Sequence, residues 1–171
     1  MAVATCPMRP QPNEHVRYRA ADMSASNIRP APSLHSSYRR FSTITPRWND
    51  NDVFGHINNA EYYAYFDTAV MRFMIDEGIV SITGGPIGTL VAETGCRFHR
   101  EVTFQDAISV GLRIAALGNS SARYEIGIFT NDHDTAAADG HFVHIFVNRA
   151  TKRPTRIPDS IRTILKRIEG L

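Results

Sequence analysis

Only one long stretch of this chain carries helical periodicity, and that limits what it can fold into. From Asn59 to about Glu77, Tyr62, Phe66, Ala69 and Phe73 recur at helical spacing and mark a face to be covered. Glu61, Tyr65, Thr68 and Arg72 fall on the opposite side. Gly78 and then Gly84, Gly85 and Pro86 break the pattern. Alternating segments follow. Leu90, Ala92, Thr94, Cys96 and Phe98 alternate with Glu93, Arg97 and His99, and Ile108, Val110, Leu112 and Ile114 alternate with Ser109, Gly111 and Arg113. Tyr124, Ile126 and Ile128 predict a third strand after the turn at Gly118-Asn119-Ser120, and Gly140 to Asn148 a fourth. Ahead of the helix, Tyr38 to Trp48 reads as a strand ending in a turn at Asn49 to Asp52. Pro158-Asp159-Ser160 opens a short final helix carrying Ile161, Ile164, Leu165 and Ile168. A lone helix among antiparallel strands gives an α+β class, with a twisted sheet curling around the helix that covers it.

Composition narrows the class of function. With 171 residues and 43% hydrophobic content the chain can bury one sizeable core. Its formal charge is +2 and the 19 Lys and Arg are scattered, which argues against a nucleic-acid partner or a polybasic membrane anchor. Cys6 and Cys96 lack metal-type spacing and point to a reducing compartment. No apolar run is long enough to span a bilayer, and no secretory signal core opens the chain. A cytoplasmic protein without a membrane partner is expected. Residues 1–37 differ from the rest, with Pro7, Pro10, Pro12, Pro30 and Pro32, four arginines, and only Glu14 and Asp22 as acids. They read as a mobile extension ahead of a domain at 38–171. An organellar transit peptide is the alternative, which the prolines disfavour.

The residues just before the helix carry the chemistry. Asn58 and Asn59 are N-cap types, and a first helical turn offers unpaired N–H groups with partial positive charge. Gly55 permits a tight turn or close approach to a ligand. Asp52 lies on the loop entering that turn, so a carboxylate and N–H donors can face one carbonyl from two sides. Hydrolysis of an activated acyl group needs such a pairing.

The run Arg47, Asp50, Asp52, Gly55, His56, Asn58, Asn59, Tyr62, with Asp67 downstream, resembles the opening motif of the 4-hydroxybenzoyl-CoA thioesterase-like branch of hotdog acyl-CoA thioesterases. The likeness covers roughly residues 38 to 168, more loosely beyond the motif. It implies the hotdog fold, one long central helix wrapped by a curved antiparallel sheet. It further implies that Asp52 is the catalytic carboxylate, that the backbone N–H near Asn59 polarises the thioester carbonyl, and that the protein works as a homodimer or a dimer-of-dimers tetramer. In such assemblies the site is shared across subunits, and surface basic residues hold the CoA phosphates. CoA enters as part of the substrate, and no separate cofactor is expected. Family members differ at His56 and Asn58, so neither receives a firm role.

Each residue also has a simpler reading. Asp52 can be a turn cap, and Asp50 a carboxylate satisfying loop N–H groups. The Asp50-x-Asp52 pair supplies too few oxygens for a divalent cation, so no metal is expected. His56 either orients the substrate or Asp52, or packs against backbone. Tyr62, Tyr63 and Phe66, with the loop at Gly84 to Gly88, are candidates for the acyl pocket. Asp67 falls beside Tyr63, Val70 and Met74 in the apolar arc, which suggests a buried or interfacial carboxylate held by an ion pair. Another hotdog branch uses an acid on this helix, so Asp67 is the reserve catalyst. His99, His141 and His144 read as sheet histidines. Arg149, Lys152, Arg153 and Arg156 suit CoA phosphates or a solvated turn. The competing functions are a non-catalytic acyl-CoA or acyl-carrier binder and, more remotely, a hotdog hydratase.

Overall fold

A computed structural model describes residues 30–170. The expected extension up to residue 29 lies outside the described residues. The elements are β1 (Arg40–Ile44), α1 (Asn59–Asp76), β2 (Ile87–Phe98), β3 (Ile108–Leu117), β4 (Ser121–Thr130), β5 (Ala138–Asn148) and α2 (Asp159–Lys166). The five strands form one antiparallel sheet in the order β1-β3-β4-β5-β2, with α1 across one face. This is the α+β hotdog arrangement foreseen from the single helical pattern.

The core lies between α1 and the sheet. Phe66, Ala69, Val70, Phe73 and Met74 from the helix meet Val110, Leu112, Ile114, Ile126, Ile128 and Phe146, all at most 2% exposed. Burying Phe66 and Phe73 contributes about 1.5–3 kcal/mol each. Gly140 lets Phe66 reach the sheet, since a Cβ there would lie 2.6 Å from the Phe66 ring. The helix buries a wider face than its apolar spacing predicts, because Tyr65, placed on the polar side by periodicity, is 6% exposed.

β2 departs from its expected phase. Its pairing with β5 slips between Val91 and Glu93, so Ala92 is extra and the alternation inverts there. Val91, Thr94, Cys96 and Phe98 share a face with the core residues of β5, whereas Leu90 pairs with Ile145 on the other face. As the edge strand it leaves Leu90 at 53% and Val91 at 50% exposure, not half-buried as alternation implied. β3 carries a matching slip between Ile114 and Ala116.

Part of the outer sheet face is covered by the residues before β1. Ser33 donates to Asp139 from its backbone N–H (3.1 Å) and its hydroxyl (2.9 Å), and Leu34 bridges to Thr135. His35 stacks on Phe41 at 4.1 Å, and Tyr38 meets Phe129 edge-on. Gly111 and Gly127 pair beneath Tyr38, where a Cβ on either would come within 2.9 Å of it. Residues 33–37, assigned on sequence to the extension, thus pack on the folded body. Burial pushes the Asp139 carboxyl up, but hydrogen bonds from Ser33 and Arg97 outweigh this and hold it low.

His144 is 2% exposed on the core side of β5, and burial pushes its pKa down from 6.5 to about 4. The unfolded chain therefore takes up this proton more readily than the folded one. Stability from neutral His144 is complete above pH 6.5 and is lost as pH falls toward 4. His144→Phe should remove a share of acid sensitivity on the order of 3 kcal/mol between those limits, read from denaturant midpoints across pH.

Candidate active site

The residues ahead of α1 form a closed turn. Asn58 N–H donates to the Asp50 carbonyl at 2.8 Å, Asn51 bridges to Ile57, and Asp52 N–H donates to the His56 carbonyl at 2.8 Å. Val53, Phe54 and Gly55 make the tip, with Gly55 at φ +86°, a conformation that favours glycine. Ile57 N–H donates to the Val102 carbonyl at 2.7 Å, tying the turn to the segment after β2. The ring of ladder bonds brings Asp52 back beside the start of the helix.

Asp52 is half-buried. Its Oδ1 accepts the Phe54 N–H at 2.8 Å and the His56 N–H at 3.4 Å. Among the described residues Oδ2 takes part in no protein hydrogen bond. One oxygen serves the turn and the other makes no such bond. Asn58 is the N-cap, its Oδ1 accepting the Ala60 N–H at 3.0 Å while its carbonyl takes the Glu61 N–H. The Asn59 N–H, first in the helix and not caught by the cap, makes no hydrogen bond among the described residues. It is an exposed donor at the positive end of an 18-residue helix.

Asp50 has a different job from Asp52. Only 2% exposed, it accepts the Arg47 N–H at 2.9 Å, Arg47 Nε at 2.8 Å and the Tyr65 hydroxyl at 2.7 Å. Burial raises its pKa, yet the donors from Arg47 and Tyr65 outweigh burial and keep it ionised. Tyr65 is accordingly held protonated, pushed up by burial and by the bond to Asp50. One carboxylate therefore fixes the turn to the middle of α1.

His56 Nε2 lies 3.1 Å from Glu101, so its ring points to that carboxylate and its main chain, not its ring, touches Asp52. Tyr62 is buried, edge-on to Phe98 at 4.9 Å, with its hydroxyl pushed up to about 12 by burial. Tyr63 is half-buried, and Phe66 is wholly enclosed in the core. Asp67 is exposed within this chain, contrary to its place in the apolar arc. His99 and His141 bind Asp139 and Glu93 at 3.0 and 2.8 Å. Among the described residues no group of three or more His, Cys, Asp or Glu is arranged for a metal.

A second feature lies at the other end of α1. Met71, Val80, Ile82, Leu90 and Val147 line an apolar cavity of about 490 Å3 rimmed by Arg149 and Lys152. Arg149 reaches the Ser81 carbonyl at 3.2 Å, while Arg156 is taken by Asp159 at 2.7 Å. The basic cluster thus divides: two members flank the cavity and Arg156 braces α2. Sequence reasoning named the basic residues but missed the cavity, which draws on segments far apart. It also missed Tyr65 and Glu101, for which residue spacing carried no signal.

Helix, curved sheet and closed turn together define a chain of the hotdog thioesterase type. The sequence matches the thioesterase-like superfamily over residues 46–165, and the chain belongs to that superfamily. It is similar to the PA5185 protein of Pseudomonas aeruginosa strain PAO1, at 43% identity and a TM-score of 0.79 over 82% of this chain and 98% of that one. A thioesterase of Thermus thermophilus, crystallised with coenzyme A and zinc, is 27% identical with a TM-score of 0.65 over 79% of this chain and 98% of that one. The YsmA protein of Bacillus subtilis (strain 168) is 25% identical over 92 residues, 54% of this chain. The chain spans 62% of the length of that relative. No helix among the described residues is long and apolar enough to cross a membrane.

Tyr65→Phe should test the Asp50 anchor. Removing one donor from a buried carboxylate is expected to cost about 1–3 kcal/mol of stability, measured by urea unfolding at neutral pH.

Proposed function

We propose that this protein hydrolyses acyl-CoA thioesters to free acid and CoA. The observation that carries the reading is the closed turn, which brings a carboxylate with one uncommitted oxygen toward a helix start whose first N–H is unbonded. The thioester carbonyl accepts from the Asn59 N–H, and charge developing on that oxygen is met by the helix end. Asp52 then either draws a proton from attacking water or attacks the carbonyl carbon, expelling CoA thiolate and leaving an anhydride for water to open. His56, steadied by Glu101, and Asn58 shape the turn. Gly55, Tyr62 and Tyr63 lie where the acyl group passes, and Phe66 supports them from within.

The working form in this reading is a homodimer built on β2, alone or paired into a tetramer. An edge strand of 12 residues with Leu90, Val91 and Phe98 exposed presents free backbone groups and apolar side chains. Antiparallel pairing of two such edges sets the Gly88 end of one beside the Phe98 end of the other. The apolar cavity of one subunit would then face the partner's turn, with Arg149 and Lys152 placed for the CoA phosphates. No cofactor beyond the substrate's own CoA is invoked. The N-terminal residues up to 29 are read as an extension to this domain, and the site of action as the cytoplasm.

Asp52→Asn keeps the shape of the turn while removing the base. Its kcat, followed as thiol release from short, medium, long-chain and aromatic acyl-CoAs, should fall by about 10²–10⁴-fold with KM little changed. Full activity in the variant would end the assignment. Because Asp52 Oδ1 also caps its own turn, the non-catalytic binder is the second reading. Saturable CoA binding with no hydrolysis by wild type would favour it.

A double Arg149→Ala, Lys152→Ala variant should raise KM for acyl-CoA by about 10-fold or more. It should leave thioesters of N-acetylcysteamine, which lack the phosphates, unaffected. Equal losses on both substrates would remove these residues from the CoA site.

A further inference from the structure

Four strands each bring one basic side chain to the same place on the outer sheet face. Arg97 of β2, Arg113 of β3, Arg123 of β4 and His141 of β5 line a single cleft of about 250 Å3. Tyr38 and Ser33, from the segment before β1, also line it. Register sets the direction of these groups. Arg113, Glu125 and His141 are cross-strand neighbours, one residue out of phase with the core residues Ile114, Tyr124 and Phe142. The cleft thus lies on the face away from α1 and apart from the turn that carries Asp52.

Two carboxylates share the cleft, and both are engaged. Asp139 takes Arg97 Nε at 2.9 Å on one oxygen and Ser33 and His99 on the other, while Glu125 takes Arg113 Nε at 2.7 Å. Three guanidinium groups against two carboxylates leave one positive charge unmatched on the walls. The companion of Arg123 is Glu93, 61% exposed at 3.3 Å and shared with His141. An exposed pair of that length holds weakly in water. Arg97 and Arg113 are fixed by their carboxylates, so an incoming ligand meets guanidinium groups already oriented. The cleft is smaller than the roughly 300–1,000 Å3 that suits a drug-sized molecule. Guanidinium forks match the paired oxygens of carboxylate and phosphate, whereas a cation would add to the excess charge.

We propose that this cleft binds a small oxyanion, a phosphate or a carboxylate, bridging Arg97 and Arg123 across β5 with Arg113 and His141 beside it. On entry the ligand replaces Glu93 at the Arg123 guanidinium. The site lies outside the proposed thioesterase chemistry and stands or falls separately from it.

The test titrates inorganic phosphate and acetate, with chloride as control, into the full chain at low ionic strength. NMR signals of the arginine side-chain N–H groups and the His141 ring report where each ion binds. A Kd of about 1 mM or tighter is expected for phosphate or acetate, with chloride far weaker, and the tighter of the two names the ligand class. Arg123→Gln, which in the free protein removes only an exposed ion pair, should weaken binding about 10-fold or more. Glu93→Gln should tighten it several-fold. Asp76→Asn makes the same change in net charge at the end of α1, where Asp76 pairs with Arg40, and should leave affinity unchanged. A Kd above about 10 mM would overturn the proposal, as would shifts confined to Arg149 and Lys152, or an equal response to Glu93→Gln and Asp76→Asn. Should Arg123→Gln not fold, Glu93→Gln against Asp76→Asn decides.

Discussion

The buried carboxylate of Asp50 is the contact on which the rest of the site depends. A charge at 2% exposure survives only when its lone pairs are filled, and here Arg47 and Tyr65 fill them. Its side chain grips the helix one and a half turns in from the start, while its carbonyl takes the N–H of the N-cap residue. The turn is thereby held at both its base and its far wall. Asp52, two residues on, inherits its position from that arrangement, with Ile57 buried in the core on the returning side of the turn. The two aspartates of the motif divide the labour: one gives up its reactivity to donors, and the other keeps an oxygen free.

The sheet is organised by a similar division between its faces. One face meets α1 through large apolar side chains, the other receives the segment before β1 into a slot floored by Gly111 and Gly127. Slips in β2 and β3 bend the sheet around the helix, and the polar pair Tyr124 and His144 sits on that bend.

Much of this was legible in the residues. One helical period among alternating segments left few ways to bury apolar surface, and the order of elements followed. Asn58 and Gly55 were readable because capping and positive φ are local demands. Phase in β2 was not, since a single extra residue, Ala92, inverts inside and outside without altering composition. Tyr65 was misplaced for a different reason: a helical wheel knows apolar spacing but not that a carboxylate fifteen positions earlier waits beneath it. Asp67 shows the converse, an acid in an apolar arc that this chain alone leaves in solvent. Long-range partners such as Glu101 for His56, and the cavity beside Arg149, depend on chain crossings that spacing does not encode.

The strap on the outer face decides where this polypeptide can be shortened. Composition suggests trimming at the start of β1, but Ser33 supplies two of the donors that keep Asp139 satisfied, and Tyr38 fills the groove over paired glycines. A chain cut after Ser37 would leave a buried carboxylate leaning on Arg97 and His99 alone, with His35 gone from the Phe41 ring. Cutting upstream of Ser33 leaves every one of these contacts in place. Among the described residues, the packed body thus reaches back at least to a hydrogen-bonded serine, several residues ahead of the first strand.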